Sequence, residues 1–480
     1  MLKLMLNPML NPMLKPLINV TGGLAAALLV AATQAMPLKQ EDVSVAEVLR
    51  DRALDSSDAY SLVESLTVEV GPRRAGTEGD ERAVAWAQQK MKDLGFDRVY
   101  TEQIDVKRWV RGHAHAEVVA PYPQPLVVTS LGYGAATPEG GLTAEIVEFA
   151  DVEALQKAPA RKIKGKIAFI NKRMERARTG EGYGPAAAGR SKGMRAATEK
   201  GAAALLLRSV GTDSDRFAHT GMMSIDGVEN PVPALALSAP DANLLEAMLK
   251  RGKPVQVKLD THNERLENGP SFNVVGEVVG REKPEEVVLI GAHLDSWDEG
   301  TGALDDGAGV AIVMETARLI AELPQRPRRT LRVVLFGAEE IGLVGARQYV
   351  EAHENDLDKI IMVSESDFGA GKVWRFDTRI PESKFVIADQ MMQLLAPLGI
   401  ERGNNQSSGG PDSSVFVARG VPAMGLFQDG SDYFDYHHTP NDTLDKVDPE
   451  ILKQNVAAWV VMSFLAAEME GNFGRVSSEH

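Results

Sequence analysis

Three nearly unbroken apolar runs, residues 286–292, 330–338 and 360–366, mark the middle of the chain. Each ends in side chains able to hold a cation: His293 and Asp295, Glu339 and Glu340, and Asp367. The two gaps between the runs, at 307–322 and 342–353, carry apolar residues at helical spacing. Short apolar runs without alternation, separated by helices, predict a parallel sheet buried on both faces. Sites in such sheets sit at the carboxyl ends of the strands, and all three ends here carry His, Asp or Glu.

On either side the pattern changes. Residues 42–70 read as helix, with Val45, Val48, Leu49 and Ala53 at helical intervals. A turn-rich break at 71–79 precedes an amphipathic helix at 80–95 that a glycine closes, and a strand pattern follows at 98–110. From 123 to 260 short β-like pieces recur at 142–149, 165–171, 201–208, 232–237 and 255–259, with helices at 187–200 and 241–251. This block reads as an inserted β-rich domain. Its isolated His219 is expected to be structural. The alternating stretch 271–279 predicts an edge strand leading back to the first domain. Beyond the centre lie a helix at 385–398, a Gly/Ser-rich loop at 404–412, a strand at 423–427 and a closing helix at 449–470. The fold class is therefore α/β, with a mostly parallel core bearing helices on both faces. Residues 36–122 and 261–480 form the core domain, and residues 123–260 are inserted in it.

Composition narrows the chemistry. The 480 residues carry 52 basic and 67 acidic side chains, a net charge of −15, which argues against a nucleic-acid partner. There is no cysteine, so disulfides, iron–sulfur clusters, thiolate zinc and a cysteine nucleophile are excluded. Any bound metal must rest on His, Asp and Glu, the ligand set of catalytic sites more than structural ones. No acid occurs before Glu41, and Lys3 and Lys15 precede a small-residue apolar run at 22–32. Residues 1–35 thus read as a signal peptide, and the mature protein is expected to be exported, without stable membrane insertion.

Two doublets sharpen the metal hypothesis. Asp305-Asp306 opens a helix, where one Asp would cap and a second adds repulsion unless a cation is near. Two glutamates ending a buried strand also repel unless one binds a cation, and a useful division leaves the other as general base. His293, Asp305, Glu340, Asp367 and one of His437 or His438 make five ligands, more than one tetrahedral ion uses. With one Asp bridging, they suit two ions and a shared water, the equipment of a hydrolase.

The segments 293–296, 302–309, 336–346 and 438–443 together resemble the co-catalytic di-zinc exopeptidases, a family that includes leucyl-type aminopeptidases and glutamate carboxypeptidases. The run from His293 to Asp298, the triplet 365–367 and the His437-His438 doublet are most similar to its plasma glutamate carboxypeptidase (carboxypeptidase Q) branch. The resemblance spans nearly the whole mature chain. It implies that His293 and Asp367 hold one zinc, Glu340 and His438 the other, with Asp305 bridging, Glu339 as general base and Asp295 orienting His293. It also implies that the inserted block resembles a protease-associated domain and that the protein is a homodimer. The substrate would be a dipeptide or short peptide. Tyr433 or Tyr436 is a candidate for stabilising the oxyanion. Pro411 interrupts a segment that in the family reads Gly-Gly-Ser-Asp, so no role is carried over to that loop. Two alternatives on the same fold are a zinc-dependent glutaminyl cyclase and a receptor-like member without catalysis. The complete ligand set and Glu339 argue against both.

Overall fold

A computed structural model describes residues 37–476, and the export segment read in residues 1–35 lies outside them. The three central runs form the strands Lys283–His293, Arg329–Phe336 and Ile360–Glu365, joined by a fourth, Ala423–Gln428. These four lie parallel in the middle of an eight-stranded sheet, with Lys283–His293 between Arg329–Phe336 and Ile360–Glu365. Helix Ala308–Ala321 connects the first two runs and helix Val344–Ala352 the next two. Along Lys283–His293 the side chains alternate in destination. Val288, Ile290 and Ala292 pack with helices Ala308–Ala321 and Pro449–Glu468, while Val287 and Leu289 pack with Val344–Ala352. This period-2 division puts helices on both faces and explains why the runs are apolar at every position.

The sheet is mixed rather than uniformly parallel. Strand Gly269–Val278, expected at an edge, runs antiparallel to Arg329–Phe336 on one side and to Arg98–Val106 on the other. Its alternation suggested one wet face, but Arg98–Val106 takes the edge, and the residues from Asn273 to Val278 are all buried. Helix Gln40–Ser56 also departs in detail. Leu49 and Ala53 pack inward with Ala46, whereas Val48 is 66% exposed and Val45 lies outside the core. Helix Glu78–Asp93 begins as expected, with the Thr77 side chain accepting from the Asp80 N–H.

A second eight-stranded sheet is built from residues 114–261. Its inner strands Leu142–Phe149, Ile167–Ile170, Ala204–Arg208 and Ala234–Leu237 are parallel, and it takes in Ala114–Ala120, upstream of residue 123. It has its own core around Ile167, Phe169, Leu206, Leu235 and Val257. The chain enters and leaves this segment through a two-stranded antiparallel ribbon, Trp109–Val110 with Glu264–Arg265. Among the described residues no helix is long and apolar enough to cross a membrane.

Candidate metal centre

The four parallel strands deliver every expected ligand to one place. His293 ends its strand, Asp305 follows twelve residues later, Glu339 and Glu340 follow Arg329–Phe336, and Asp367 follows Ile360–Glu365. His437 and His438 come from the turn after the short helix Tyr433–Tyr436, beyond strand Ala423–Gln428. Asp305 sits at the hub. Its Oδ1 lies 3.1 Å from His293 Nε2, and its Oδ2 lies 3.4 Å from His438 Nε2. Asp367 Oδ1 is 3.6 Å from the same nitrogen of His293, and Glu340 Oε2 is 3.0 Å from that of His438. His437 stacks on His438 with ring centroids 3.6 Å apart and places its Nε2 3.5 Å from Asp305 Oδ2. His438 reaches both Asp305 and Glu340. Three overlapping groups of His and acid side chains converge here with ligand atoms within 4.8 Å of one another.

Non-ligand residues set the geometry. Asp295, expected to orient His293, presents its main-chain oxygen to the ring Nδ1 at 3.0 Å, and its carboxylate stands 3.7 Å away. That carboxylate instead accepts the Glu339 N–H at 3.0 Å, tying the two strand ends together. Asp442, from the Thr439-Pro440-Asn441-Asp442 segment, accepts from the Leu304 N–H at 2.6 Å and the Asp305 N–H at 3.2 Å. Arg73 is fully buried and donates to the carbonyls of Leu294, Thr301 and Gly302 at 2.6, 2.6 and 2.8 Å, bracing the loop between His293 and Asp305. Ala338, Leu343 and His438 all hold positive φ, near 60°, beside the site. Non-glycine residues in that region are costly and cluster at functional sites. The Asp305–Asp306 peptide bond is cis.

The electrostatics ask for positive charge. Burial, with help from Asp367 and other nearby carboxylates, holds the Glu339 pKa well above the usual glutamate value. Burial, Asp305 and Glu339 do the same to Glu340. Burial opposes charge on His293, but Asp367, Asp295 and Asp305 outweigh it and raise its pKa well above normal. His438 shifts the other way, lowered by burial and by Arg190. Asp305 Oδ2 and Glu340 Oε1 are buried and lack any hydrogen-bond donor. Buried polar atoms are almost always partnered, and buried carboxylates this close must either share a cation or take up protons. An all-oxygen and imidazole donor set with orphaned carboxylate oxygens turned inward fits divalent metal. The centre opens on a cavity of about 310 Å³, also lined by Tyr183, Arg190, Met222 and Tyr433.

The sequence profile described as Peptidase family M28 matches residues 273–463. Mouse carboxypeptidase Q is 34% identical over 413 residues, which is 86% of this chain and 86% of that protein. The chain belongs to peptidase family M28. A solved M28 peptidase precursor from Shewanella amazonensis SB2B is 52% identical, covering 91% of this M28 chain and 99% of its own, with a TM-score of 0.89. An aminopeptidase from Aneurinibacillus sp. strain AM-1 shares the fold at 22% identity and a TM-score of 0.63, covering 88% of this chain and 97% of its own. The coarse expectation of a metallo-exopeptidase on a mixed α/β fold therefore stands.

Several residues that shape this M28 site were not singled out in the sequence. Trp297 lies inside the motif run that begins at His293, and an aromatic four residues after a candidate ligand was a usable signal. Arg73 lies in the turn-rich break at 71–79, where no single residue was given a role in the site. Tyr183, Arg190 and Thr220 lie far from every motif, in the segment of the second sheet, and nothing in the sequence pointed to them. Of the two candidate tyrosines, Tyr433 lines the cavity and Tyr436 does not.

Proposed function

We propose that this M28 peptidase is an exported di-zinc exopeptidase that hydrolyses dipeptides and other short peptides. His293 and Asp367 would hold one Zn²⁺, Glu340 and His438 the other, and Asp305 would bridge them. The observation that carries this reading is Asp305 itself. One carboxylate oxygen faces His293 and the other faces His438, and each histidine has a second acid within 3.6 Å. That is the arrangement a bridging ligand between two three-residue sites requires.

When bound, the two ions supply Lewis acidity, lowering the pKa of water and polarising a carbonyl oxygen. Glu339 is the proton carrier. Its carboxylate takes a proton from the attacking water and returns it to the leaving amine. Its N–H bond to Asp295 fixes where its side chain starts. Tyr433 is kept protonated by burial and by Asp305, and donates from the cavity wall to the developing oxyanion.

The proposal extends to three further features. The segment of the second sheet, residues 123–260 together with Ala114–Ala120, is a protease-associated-like module inserted in the peptidase domain. The amino-terminal segment directs export to the periplasm or exterior. The mature enzyme works as a homodimer, which light scattering in solution would read.

A panel of dipeptides, amino-blocked peptides and carboxyl-blocked peptides, assayed with and without a chelator, tests the activity. Chelator-sensitive cleavage from one end is expected. If the zinc-loaded protein cleaves none of them, the peptidase reading fails.

A further inference from the structure

The second sheet's segment does more than stand beside the cavity. It grips the loop that carries His437 and His438 at two points, from the residue pair His219-Thr220. Thr220 donates its main-chain N–H to the His438 carbonyl at 3.0 Å, and its own carbonyl lies 3.2 Å from His438 Nδ1. His219, one residue earlier, sets Nδ1 2.7 Å from the His437 carbonyl and Nε2 2.5 Å from Asp213 Oδ2. His219 and Thr220 are 1% and 0% exposed, so solvent does not compete for these bonds.

Arg190 braces the grip from below. Its Nη1 donates to the Thr220 carbonyl at 2.7 Å and lies 3.3 Å from His438 Nδ1, while Nη2 donates to the Tyr183 hydroxyl. The Tyr183 ring in turn meets His437 edge-on, with centroids 5.2 Å apart. The main chain lies directly on the guanidinium at Gly221, where φ is +140° and an added Cβ would fall 1.7 Å from Arg190 Nη1. Only glycine permits that approach.

The chemistry of an imidazole ligand gives these contacts a purpose. When Nε2 lends its lone pair to a metal, the ring proton must sit on Nδ1, and an acceptor facing Nδ1 selects that tautomer and orients the ring. For His293 the acceptor is a carbonyl of its own strand end. For His438 it is Thr220, more than two hundred residues away in the chain.

We infer that residues of the second sheet's segment, Arg190, His219 and Thr220, are the outer layer of the metal centre and hold His438 in its zinc-binding orientation. They are positioning residues: none is a ligand, and each acts through the His437-His438 loop. The inference rests on the reading of His438 as a zinc ligand and adds a role for the segment in holding the metal.

The test measures zinc affinity of the purified full-length protein by competition with a chromogenic chelator, and the melting temperature of the zinc-free form. Arg190→Ala and His219→Leu should each weaken zinc binding, roughly 10- to 100-fold as outer-layer partners of metal ligands do. The zinc-free melting temperature should fall no further than it does for Arg208→Ala, which loses comparable buried bonds away from the site. His219→Gln keeps an N–H donor toward the His437 carbonyl and should recover much of the affinity. Arg208→Ala removes another buried arginine of the segment, bonded to Asn171, Asn243 and the Ala239 carbonyl, and should leave zinc affinity unchanged. Wild-type affinity in both Arg190→Ala and His219→Leu overturns the inference, as does an equal loss in Arg208→Ala. If Arg190→Ala does not fold, the His219 pair decides alone. A wild-type protein that binds no zinc overturns both this inference and the reading beneath it.

Discussion

Trp297 donates its indole N–H to Glu340 Oε2 at 2.6 Å, and its ring centroid lies 5.7 Å from that of His438. One side chain thus touches both residues assigned to the second zinc. The bond uses one lone-pair direction of the Glu340 oxygen and leaves Oε1 without a donor. Trp297→Phe keeps an aromatic wall beside His438 but removes the donor. Zinc affinity or kcat/KM is expected to fall by roughly 10- to 100-fold, with an unchanged circular-dichroism spectrum. A variant with wild-type zinc affinity and activity would show that the indole bond is incidental.

Glu339→Gln separates proton transfer from metal binding. The variant keeps the side-chain size and the main-chain bond to Asp295, so the backbone of the turn is unaltered. The expected result is a drop in kcat of roughly 10²- to 10⁴-fold, with zinc content by atomic emission still near two ions per chain. Retained turnover would move the proton carrier elsewhere in the cavity.

Zinc removal should make stability depend on pH in a defined direction. In the ion-free centre, burial and neighbouring carboxylates raise the pKa of Glu339, Glu340 and Asp306. An acid whose pKa is higher folded than unfolded binds its proton more tightly in the folded state. Its contribution is therefore greatest at low pH and is lost as pH rises above the ordinary carboxylate range. The melting temperature of the chelator-treated enzyme is expected to fall from weakly acidic to neutral pH. The zinc-loaded enzyme should lack most of that slope. Parallel melting curves for the two forms would contradict the picture.

Asp80 offers the same physics at a distance from the ions. It is 2% exposed at the start of helix Glu78–Asp93, accepts the Gly76 N–H at 2.8 Å, and burial raises its pKa to about 6. The ionised form is the costly one, so its cost grows between the ordinary value of 3.8 and about 6. Asp80→Asn can keep the Gly76 bond without the charge. Above neutrality it is expected to exceed the wild type in stability by up to about 3 kcal/mol. That gap should close as pH falls toward 4. Denaturant titrations at the two extremes would detect a gap that fails to change.

The central helices and strands were legible because local patterns survive burial. The period of 3.6 in residues 307–322 and the unbroken apolar runs each require only that both faces be covered. The expected edge strand failed for a related reason. Alternation at Gly269–Val278 reports which side chains face which way, but the partner at its margin is Arg98–Val106, and no property of residues 269–278 specifies that pairing. Val45 and Val48 show the same limit on a helix. Their spacing fits a buried stripe, yet Ala46, Leu49 and Ala53 are the ones that pack.

By itself the sequence determined the α/β class, pointed to metal chemistry and supplied the His, Asp and Glu side chains proposed to carry it. Strand ends, acid doublets and the absence of cysteine are all properties of composition and spacing. What tertiary structure decided is how those groups are held. Asp305 splits its oxygens between two histidines, and Asp295 steadies His293 through its carbonyl while its carboxylate binds the Glu339 turn. Trp297 anchors Glu340, and Thr220 faces His438 from a loop of the second sheet's segment. Each of these relations depends on where a hydrogen-bond partner lands after folding, across separations from a few residues to more than two hundred. Periodicity carries no information over such spans, because the contacts are made by the packing of whole elements and not by the local chain.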